Sequence, residues 1–482
     1  MAVDYNAKSI SGMLWTFLEK GSVQILQFVV YVILARYLTP RDFGVVGLLA
    51  IFIALSQVFV ESGFFKALIQ KTNRTAIDFE TVFSFNTLLA VVLYSLLFAI
   101  APFVAHFFEE EVLVILLRVL GLTVVFNSFS IVQRAKMAIN FEFKTLAKIN
   151  FIAFMISGTL SVLSAIFGYG MWALVVLTIG KAAISMVLFI YYSKWLPKFG
   201  FSQDSFKSLW NYGSKLLAAS TIAVLYKNIY SLFIGKYYSV QSLGYFANAK
   251  KLADTPAGFI ASSFQTVTFP VLSSLQEQKE EFLVYFMKAS RVIVIMTLPI
   301  MLLILVLAEP IVAVLLTEKW MPMVPLLQLF CLSRVFTPIN TLNMNVLNAI
   351  GRSDLFLKLD LYKLLIIIVV LFFTVGLSLE ALVAGQVFVS FISFFINAYY
   401  PGKLLNYGIG KQAINYGMIV LISIITAIVV YFAVCRIDNN YIMIFVGSLF
   451  FFILIMILFK AFKIEEFLQV KNRIANKLTF FS

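Results

Sequence analysis

The sequence predicts an all-α polytopic membrane protein: about 14 transmembrane helices, arranged as two pseudo-symmetric six-helix lobes plus two C-terminal helices. Three observations predict it. Hydrophobic residues make up 62% of the 482 and charged residues only 12%, against roughly 25% charged in an ordinary globular domain. Apolar runs of about 20 residues, long enough to span a bilayer, recur along the whole chain. Two polar gaps also carry nearly the same message. Leu34-Ala35-Arg36-Tyr37-Leu38-Thr39-Pro40-Arg41-Asp42-Phe43-Gly44 is echoed by Ile234-Gly235-Lys236-Tyr237-Tyr238-Ser239-Val240-Gln241-Ser242-Leu243-Gly244. An aliphatic, a base, a tyrosine, a hydroxyl, a large apolar residue and a glycine return at one constant offset. A membrane chain that repeats itself in this way is usually two lobes around a shared cavity, which points to transport.

The apolar runs must be helices, because lipid satisfies no backbone polar group. The alternation of an outer-membrane barrel is absent. Spans are expected near 13–37, 43–66, 80–105, 111–134, 147–168, 170–193, 210–235, 243–270, 283–308, 324–350, 356–377, 379–400, 412–434 and 440–460. The first run carries Glu19, Lys20 and Gln24, and no small-residue cleavage site follows it, so it reads as a retained span and not a signal peptide. The seventh, eighth and tenth spans are polar; the tenth holds Arg334, Thr337, Pro338, Asn340, Asn343, Asn345 and Asn348 and is expected to be kinked.

The repeat extends past the opening echo. Leu117–Leu122 resembles Leu327–Leu332, Val125-Phe126 resembles Val335-Phe336, Ala173-Leu174-Val175 recurs as Ala381-Leu382-Val383, and Tyr191-Tyr192 as Tyr399-Tyr400. Spans one to six therefore map onto seven to twelve in the same order. An even number per unit gives both lobes one orientation, with the pseudo-axis along the membrane normal. The expected organisation is a first lobe at 1–193, a cytoplasmic linker at 194–209, a second lobe at 210–402, and the last two spans with a cytoplasmic tail at 403–482.

Orientation follows from the lysine and arginine asymmetry. With a cytoplasmic N-terminus, most of the 37 bases fall on inner loops and tails. Outer loops carry Arg36, Arg41, Lys236, Lys319 and Arg436, beside the acidic run Glu109-Glu110-Glu111. Both termini are then cytoplasmic. Much of the +14 net charge is topology and not a nucleic-acid footprint. Cys331 and Cys435 lie in or beside apolar spans, and nothing supports a disulfide or a metal site. His106 is the single histidine, which excludes a histidine-based triad or metal cluster.

Several charges are left over. Eight bases, Lys20, Arg118, Lys181, Lys227, Lys250, Lys251, Arg334 and Lys363, and four acids, Glu19, Glu61, Asp254 and Asp360, fall within spans. A central charge costs roughly 2.5–3.5 kcal/mol on insertion scales, so such residues tend to face protein or water. Some have ordinary explanations. Arg118 is close enough to the outer surface to snorkel. Asp360 pairs naturally with Lys363 one turn on, and Lys250 with Asp254. Lys181, Lys227, Lys251 and Arg334, with Lys20, form the candidate cationic cavity. Cations outnumber acids, so the cavity is expected to attract an anion, with phosphate the obvious group. Asp254, Glu61 and Asp360 are the candidate ion-coupling acids. Tyr226, Tyr230 and Tyr245 offer faces on which sugars stack, although packing is the commoner use of such rings.

These motifs together resemble the polysaccharide flippases of the multidrug/oligosaccharidyl-lipid/polysaccharide exporter superfamily, in particular the Wzx-like lipopolysaccharide and teichuronic-acid exporters. The residues that carry the resemblance are Ala35–Gly44, Ala67-Leu68-Ile69-Gln70, Ile234-Gly235-Lys236 with Leu243-Gly244-Tyr245, Phe269-Pro270-Val271-Leu272-Ser273, Glu309-Pro310 with Lys319-Trp320, and Val324-Pro325-Leu326-Leu327. The resemblance implies a two-lobed bundle that alternates between inward- and outward-open states. It implies a polyprenyl-pyrophosphate-linked oligosaccharide (an O-antigen, capsule or exopolysaccharide precursor) flipped across the bacterial inner membrane. Lys227 and Pro256 fall where relatives commonly have such residues. Tyr230 stands where relatives often have an acid, which weakens an acid-based coupling site there. No cofactor is implied beyond H+ or Na+ as coupling ion, and no enzyme activity. Expected partners are the lipid-linked oligosaccharide, membrane lipid, and a polysaccharide polymerase or other assembly proteins; no nucleic acid is among them.

Three rivals stand beside this reading. A lipid II-type peptidoglycan precursor flippase would share the fold. A membrane-embedded glycan polymerase or ligase needs catalytic groups on sizeable outer loops, and the expected outer loops are short. A drug/cation antiporter would more naturally show the opposite charge bias.

Overall fold

The computed structural model describes residue 21 and residues 23–61, 63–196, 198–464, 466 and 467. Its regular elements are helical. The chain runs through α1 (Val23–Tyr37), α2 (Pro40–Glu61), α3 (Phe64–Gln70), α4 (Ala76–Phe108), α5 (Leu113–Ser128), α6 (Ile131–Ile139), α7 (Phe143–Ile166), α8 (Trp172–Ser193) and α9 (Gln203–Tyr237). It continues through α10 (Val240–Ser274), α11 (Lys279–Val306), α12 (Ala308–Leu316), a 3-10 turn, α13 (Val324–Arg334), α14 (Thr337–Ala349), α15 (Ser353–Thr374), α16 (Leu379–Leu404), α17 (Ile409–Val434) and α18 (Asn440–Ala461). Among the described residues eleven helices are long and apolar enough to cross a membrane. Three expected spans fall outside that number for visible reasons. α1 is described over too few residues, α10 carries Lys250, Lys251 and Asp254, and α15 carries Asp354, Lys358, Asp360 and Lys363.

Helix starts are written in hydroxyl and amide side chains. Thr75 and Asp78 form a reciprocal capping box at α4, the Ser378 hydroxyl accepts from the Ala381 amide at α16, and Asn439 accepts from the Tyr441 and Ile442 amides at α18. Each satisfies amides that the first helical turn leaves without a partner. The tenth span is broken, as its prolines and asparagines predict: α13 ends at Arg334 and α14 begins at Thr337, with Pro338 in its first turn. The fourth span breaks similarly between Ser128 and Ile131.

The chain forms two compact units, residues 1–244 and 245–482. In the first, α7 and α8 pack most intimately, through small residues. Ser157 is fully buried, a Cβ at Gly180 would meet it at 3.3 Å, and the Ser161 hydroxyl donates to the Ala173 carbonyl at 2.6 Å. Lipid is as apolar as leucine, so close van der Waals contact and hydrogen bonds drive such pairs. α9 packs along α2, α3 and α4. Its Trp210 and Phe206 join Phe64 and Phe85 in an aromatic cluster around the buried Leu68, Phe83 and Leu209.

In the second unit, α11 is central, packing against α13, α14 and α17. Phe282, Phe286 and Ile293 of α11 share a core with Leu342 and Val346 of α14 and Tyr416 of α17. The last two spans are built into this unit. Ile419, Ile422 and Val430 of α17 and Phe451 and Ile455 of α18 bury together with Leu298 and Leu302 of α11.

Candidate functional site

The echoed segments acquire a physical meaning in the first unit. Thr39 is followed by Asp42, whose carboxylate accepts from the Thr39 amide at 2.8 Å while the Asp42 amide donates back to the Thr39 hydroxyl at 3.3 Å. In the second copy the Ser242 amide donates to the Ser239 hydroxyl at 3.0 Å. The recurring hydroxyl is therefore the start of α2 and of α10. The recurring glycine lets those two starts cross: a Cβ on Gly44 would overlap the Val240 carbonyl oxygen, and a Cβ on Gly244 the Pro40 carbonyl oxygen. The bases of the echo meet the acidic turn after α4. Arg41 binds Glu110 at 2.7 Å, and Lys236 donates to the Phe107 carbonyl at 2.8 Å and binds Glu109 at 3.3 Å.

The same unit holds a polar string on α2, α5 and α6. Asn127 donates to Gln57 at 3.0 Å, Gln57 to Glu61 at 3.5 Å, and Arg134 binds Glu61 at 3.4 Å while lying over the Phe65 ring. Glu61, a candidate coupling acid, is thus tied to a base that the sequence assigned to topology alone. Lys181, midway along α8, is half-buried and lies 6.0 Å over the Phe154 ring. Lys227 is exposed on α9, beside Asn228, whose amide donates to the Val224 carbonyl. Lys20 lies outside the described residues.

In the second unit, Asp254 and Arg334 form an ion pair that joins α10 to the end of α13. Lys250, one turn before Asp254, lies 5.9 Å over the Phe246 ring. Asp254 lies two residues before Pro256 inside α10, and Arg334 sits at the α13–α14 break. The Arg334 guanidinium also donates to the Ser333 hydroxyl at 3.0 Å, and Ser333 bonds Ser390 of α16 at 2.7 Å. Lys251 is exposed on α10, one turn before Asp254. Asp360 is paired at 2.5 Å with the buried Lys363 of the same helix.

Of the three tyrosines, Tyr230 is 4% exposed, and Tyr245 packs edge-on against Trp320 with its hydroxyl donating to the Lys319 carbonyl. Both serve packing in this structure, as the commoner use of such rings predicts. Arg118 lies 4.1 Å over the Phe98 ring and is held to its own lobe. The sequence reading missed Arg134, Gln57 and Asn127. The signal available was spacing: Gln57 and Glu61 lie one turn apart on an otherwise apolar helix.

The described residues define the class first: an all-helical, multi-pass membrane protein. Its backbone matches the lipid II flippase MurJ in an inward closed conformation with a TM-score of 0.78 at 17% identity, over 94% of this chain and 98% of that one. It matches an inward-facing multidrug resistance MATE family transporter of the MOP superfamily with a TM-score of 0.65 at 15% identity, over 81% of this chain and 98% of that one. Residues 33–325 match the family model described as polysaccharide biosynthesis protein, and the chain belongs to that family. Relatives include the teichuronic acid biosynthesis protein TuaB of Bacillus subtilis (strain 168), 24% identical over 72% of each chain. The lipopolysaccharide biosynthesis protein WzxC of Escherichia coli (strain K12) is 25% identical over 74% of this chain and 73% of its own. The succinoglycan biosynthesis transport protein ExoT of Rhizobium meliloti (strain 1021) is 24% identical over 71% and 69%.

Proposed function

We propose that the protein is a flippase that moves polyprenyl-pyrophosphate-linked oligosaccharide repeat units across the bacterial cytoplasmic membrane by alternating access. The observation that carries this reading is the set of cations on membrane helices, Lys181, Lys227, Lys251 and Arg334, in a chain of the polysaccharide biosynthesis family. A sugar headgroup bearing a pyrophosphate cannot cross about 30 Å of hydrocarbon unaided. Fixed positive charge at membrane depth lowers that barrier by holding the anion. The chemistry is binding and release, with no bond made or broken, and relatives are named as transport and biosynthesis proteins and a flippase.

Counting α1, α10 and α15 as spans gives the fourteen-span path, with both termini cytoplasmic and the repeat halves at 1–193 and 210–402. Coupling to H+ or Na+ fits the reading. Asp254 is the acid best suited to it, because its side chain remains 41% exposed beside Arg334, two residues before Pro256. Deletion of the gene tests the whole reading: lipid-linked glycan should accumulate on the inner leaflet, and wild-type chain should clear it. Absence of accumulation would sink it.

The high structural likeness to MurJ favours one second reading, a lipid II-type substrate. Rescue of a strain depleted of its lipid II flippase separates the two.

A further inference from the structure

Past the end of α18 the chain doubles back on its own unit. Lys463 takes a left-handed φ of 50°, its amide donates to the Lys460 carbonyl at 3.1 Å, and the Ile464 amide donates to the Phe459 carbonyl at 2.9 Å. This is the Schellman way of ending a helix. The reversal buries Ile464 in the core shared by α11, α17 and α18 and sets Phe467 against the Phe459 ring, with centroids 5.7 Å apart. Between these two anchors Glu466 is 8% exposed, and its carboxylate lies 3.1 Å from Nε of Arg291, midway along α11. Apolar contact alone holds such a strap. A buried ion pair adds little net stability, because desolvation offsets its attraction, so the acid is not explained as glue.

Around the carboxylate there are more donors than one acid uses. The Tyr407 hydroxyl lies beside the Asn415 side chain and faces the Arg291 charge, while the Tyr416 hydroxyl faces Tyr407 and lies beside Ser290. The Tyr407 hydroxyl, the Asn415 amide nitrogen, the Tyr416 hydroxyl and Arg291 Nε are all buried, and none completes a hydrogen bond among the described residues. The contact of Nε with Glu466 is therefore close but poorly directed. The Gln412 side-chain oxygen is also unpartnered there, its nitrogen donating to the Tyr407 carbonyl at 3.3 Å. We infer that this cluster of donors is a binding site for a phosphate-bearing headgroup, and that Glu466 is its resident stand-in, displaced with the strap when the headgroup binds.

Three features select that occupant. A carboxylate offers two oxygens, whereas a terminal phosphate offers three to a guanidinium, two hydroxyls and an amide. The site has an approach: Arg291 keeps 25% of its side chain exposed although its Nε is sealed, so an anion meets the open edge of the guanidinium while Glu466 still holds the other. Exposed bases stand at the same end of the unit, Lys288 one turn before Arg291 and Lys460 and Lys463 at the reversal. The acids Glu280 and Glu281 are about three turns away, at the start of α11. Thermodynamics then couples the two events. A strap that leaves by itself strands Arg291 as a partly buried charge, so release is favourable only when another anion takes its place.

Calorimetry on the full-length chain in detergent, with inorganic pyrophosphate as probe, tests the site. Glu466→Gln keeps the shape of the strap and removes its charge, and should bind pyrophosphate about tenfold more tightly than the wild-type chain, the worth of one competing charged contact. Tyr407→Phe in that background should give back about tenfold. Arg291→Gln alone strands a buried carboxylate, so it is made together with Glu466→Gln; that neutral pair should fold and lose the gain. Native mass spectrometry of the same chains with added phosphatidylglycerol is the second arm. A gain for pyrophosphate alone assigns the site to a diphosphate terminus, and a gain for phosphatidylglycerol assigns it to a lipid headgroup. Wild-type and Glu466→Gln chains that bind both probes equally, or a gain that survives Arg291→Gln, would overturn the site. Export plays no part in either readout, so failure of the flippase reading would leave this result standing, and the reverse.

Discussion

Gly244 lies directly against the carbonyl oxygen of Pro40, and the relation is returned by Gly44 against the carbonyl of Val240. The two positions are equivalents in the sequence echo, so the helix starts touch each other through a local two-fold. A side chain at either glycine must displace backbone, which has no rotamer to yield. Gly44→Ala and Gly244→Ala should each lower stability in detergent by about 1–3 kcal/mol or more, as overpacking does. Gly47→Ala is the control. Its nearest neighbour is a Leu243 methyl at 3.9 Å, an ordinary contact, and melting should be unchanged. Equal melting temperatures for all three would remove the crossing from the account.

The Asp254–Arg334 pair should behave as a buried pair opened on one side. Arg334 is 15% exposed and Asp254 41%, so solvent screens part of the interaction. Asp254→Asn leaves the guanidinium without its counter-charge, and a loss of about 1–3 kcal/mol is expected, below the 3–5 of a fully buried pair. Adding Arg334→Met should recover most of that stability, because two neutral groups need no partner. Export should not recover with it. A double-mutant cycle on unfolding, run beside a transport assay, checks both parts; additive stability losses would refute the pairing.

Ion pairs of different burial should differ sharply. Asp78 is fully buried, binds Lys71 at 2.7 Å and completes the α4 capping box through the Thr75 amide at 2.8 Å. Asp78→Ala removes a charge partner and a cap together, and about 3–5 kcal/mol should be lost. Glu110 binds Arg41 at the same distance, but Arg41 is 64% exposed. Glu110→Ala should cost less than about 1 kcal/mol, and high salt should erase the difference. A Glu110 effect as large as that of Asp78 would show that the acidic turn does more than satisfy outer bases.

The helical path was legible because bilayer length and backbone satisfaction leave few choices, and the polar tenth span, expected to be kinked, is broken between Arg334 and Thr337. The echo was legible as repetition, but not as contact. Nothing in one sequence says that Gly44 and Gly244 each face the other's helix, since the offset fixes equivalence and not packing. α9 shows the same limit, being the seventh span by repetition yet packed along α2 and α4 of the first unit. Arg134 was hidden for a different reason. A base near a span end satisfies the charge rule whether or not it binds anything, so its bond to Glu61 left no trace in the count.

Lys227 offers the sharpest test of the cation proposal. It is exposed near the middle of the apolar stretch Gly213–Tyr237 of α9, where a charge costs roughly 2.5–3.5 kcal/mol to insert. If its role is to hold an anion, stability and function should separate on substitution. Lys227→Met should leave the melting temperature unchanged or raise it, while export of lipid-linked glycan falls by at least about tenfold, the effect of losing one charge-assisted contact. Lys227→Arg should keep most export, since an anion is held by either cation. Lys181→Met should follow the same pattern more weakly, because that lysine is half-buried and lies over Phe154, so packing is also lost. If Lys227→Met instead lowers stability and leaves export intact, the lysine is a structural group and the anion must be held elsewhere.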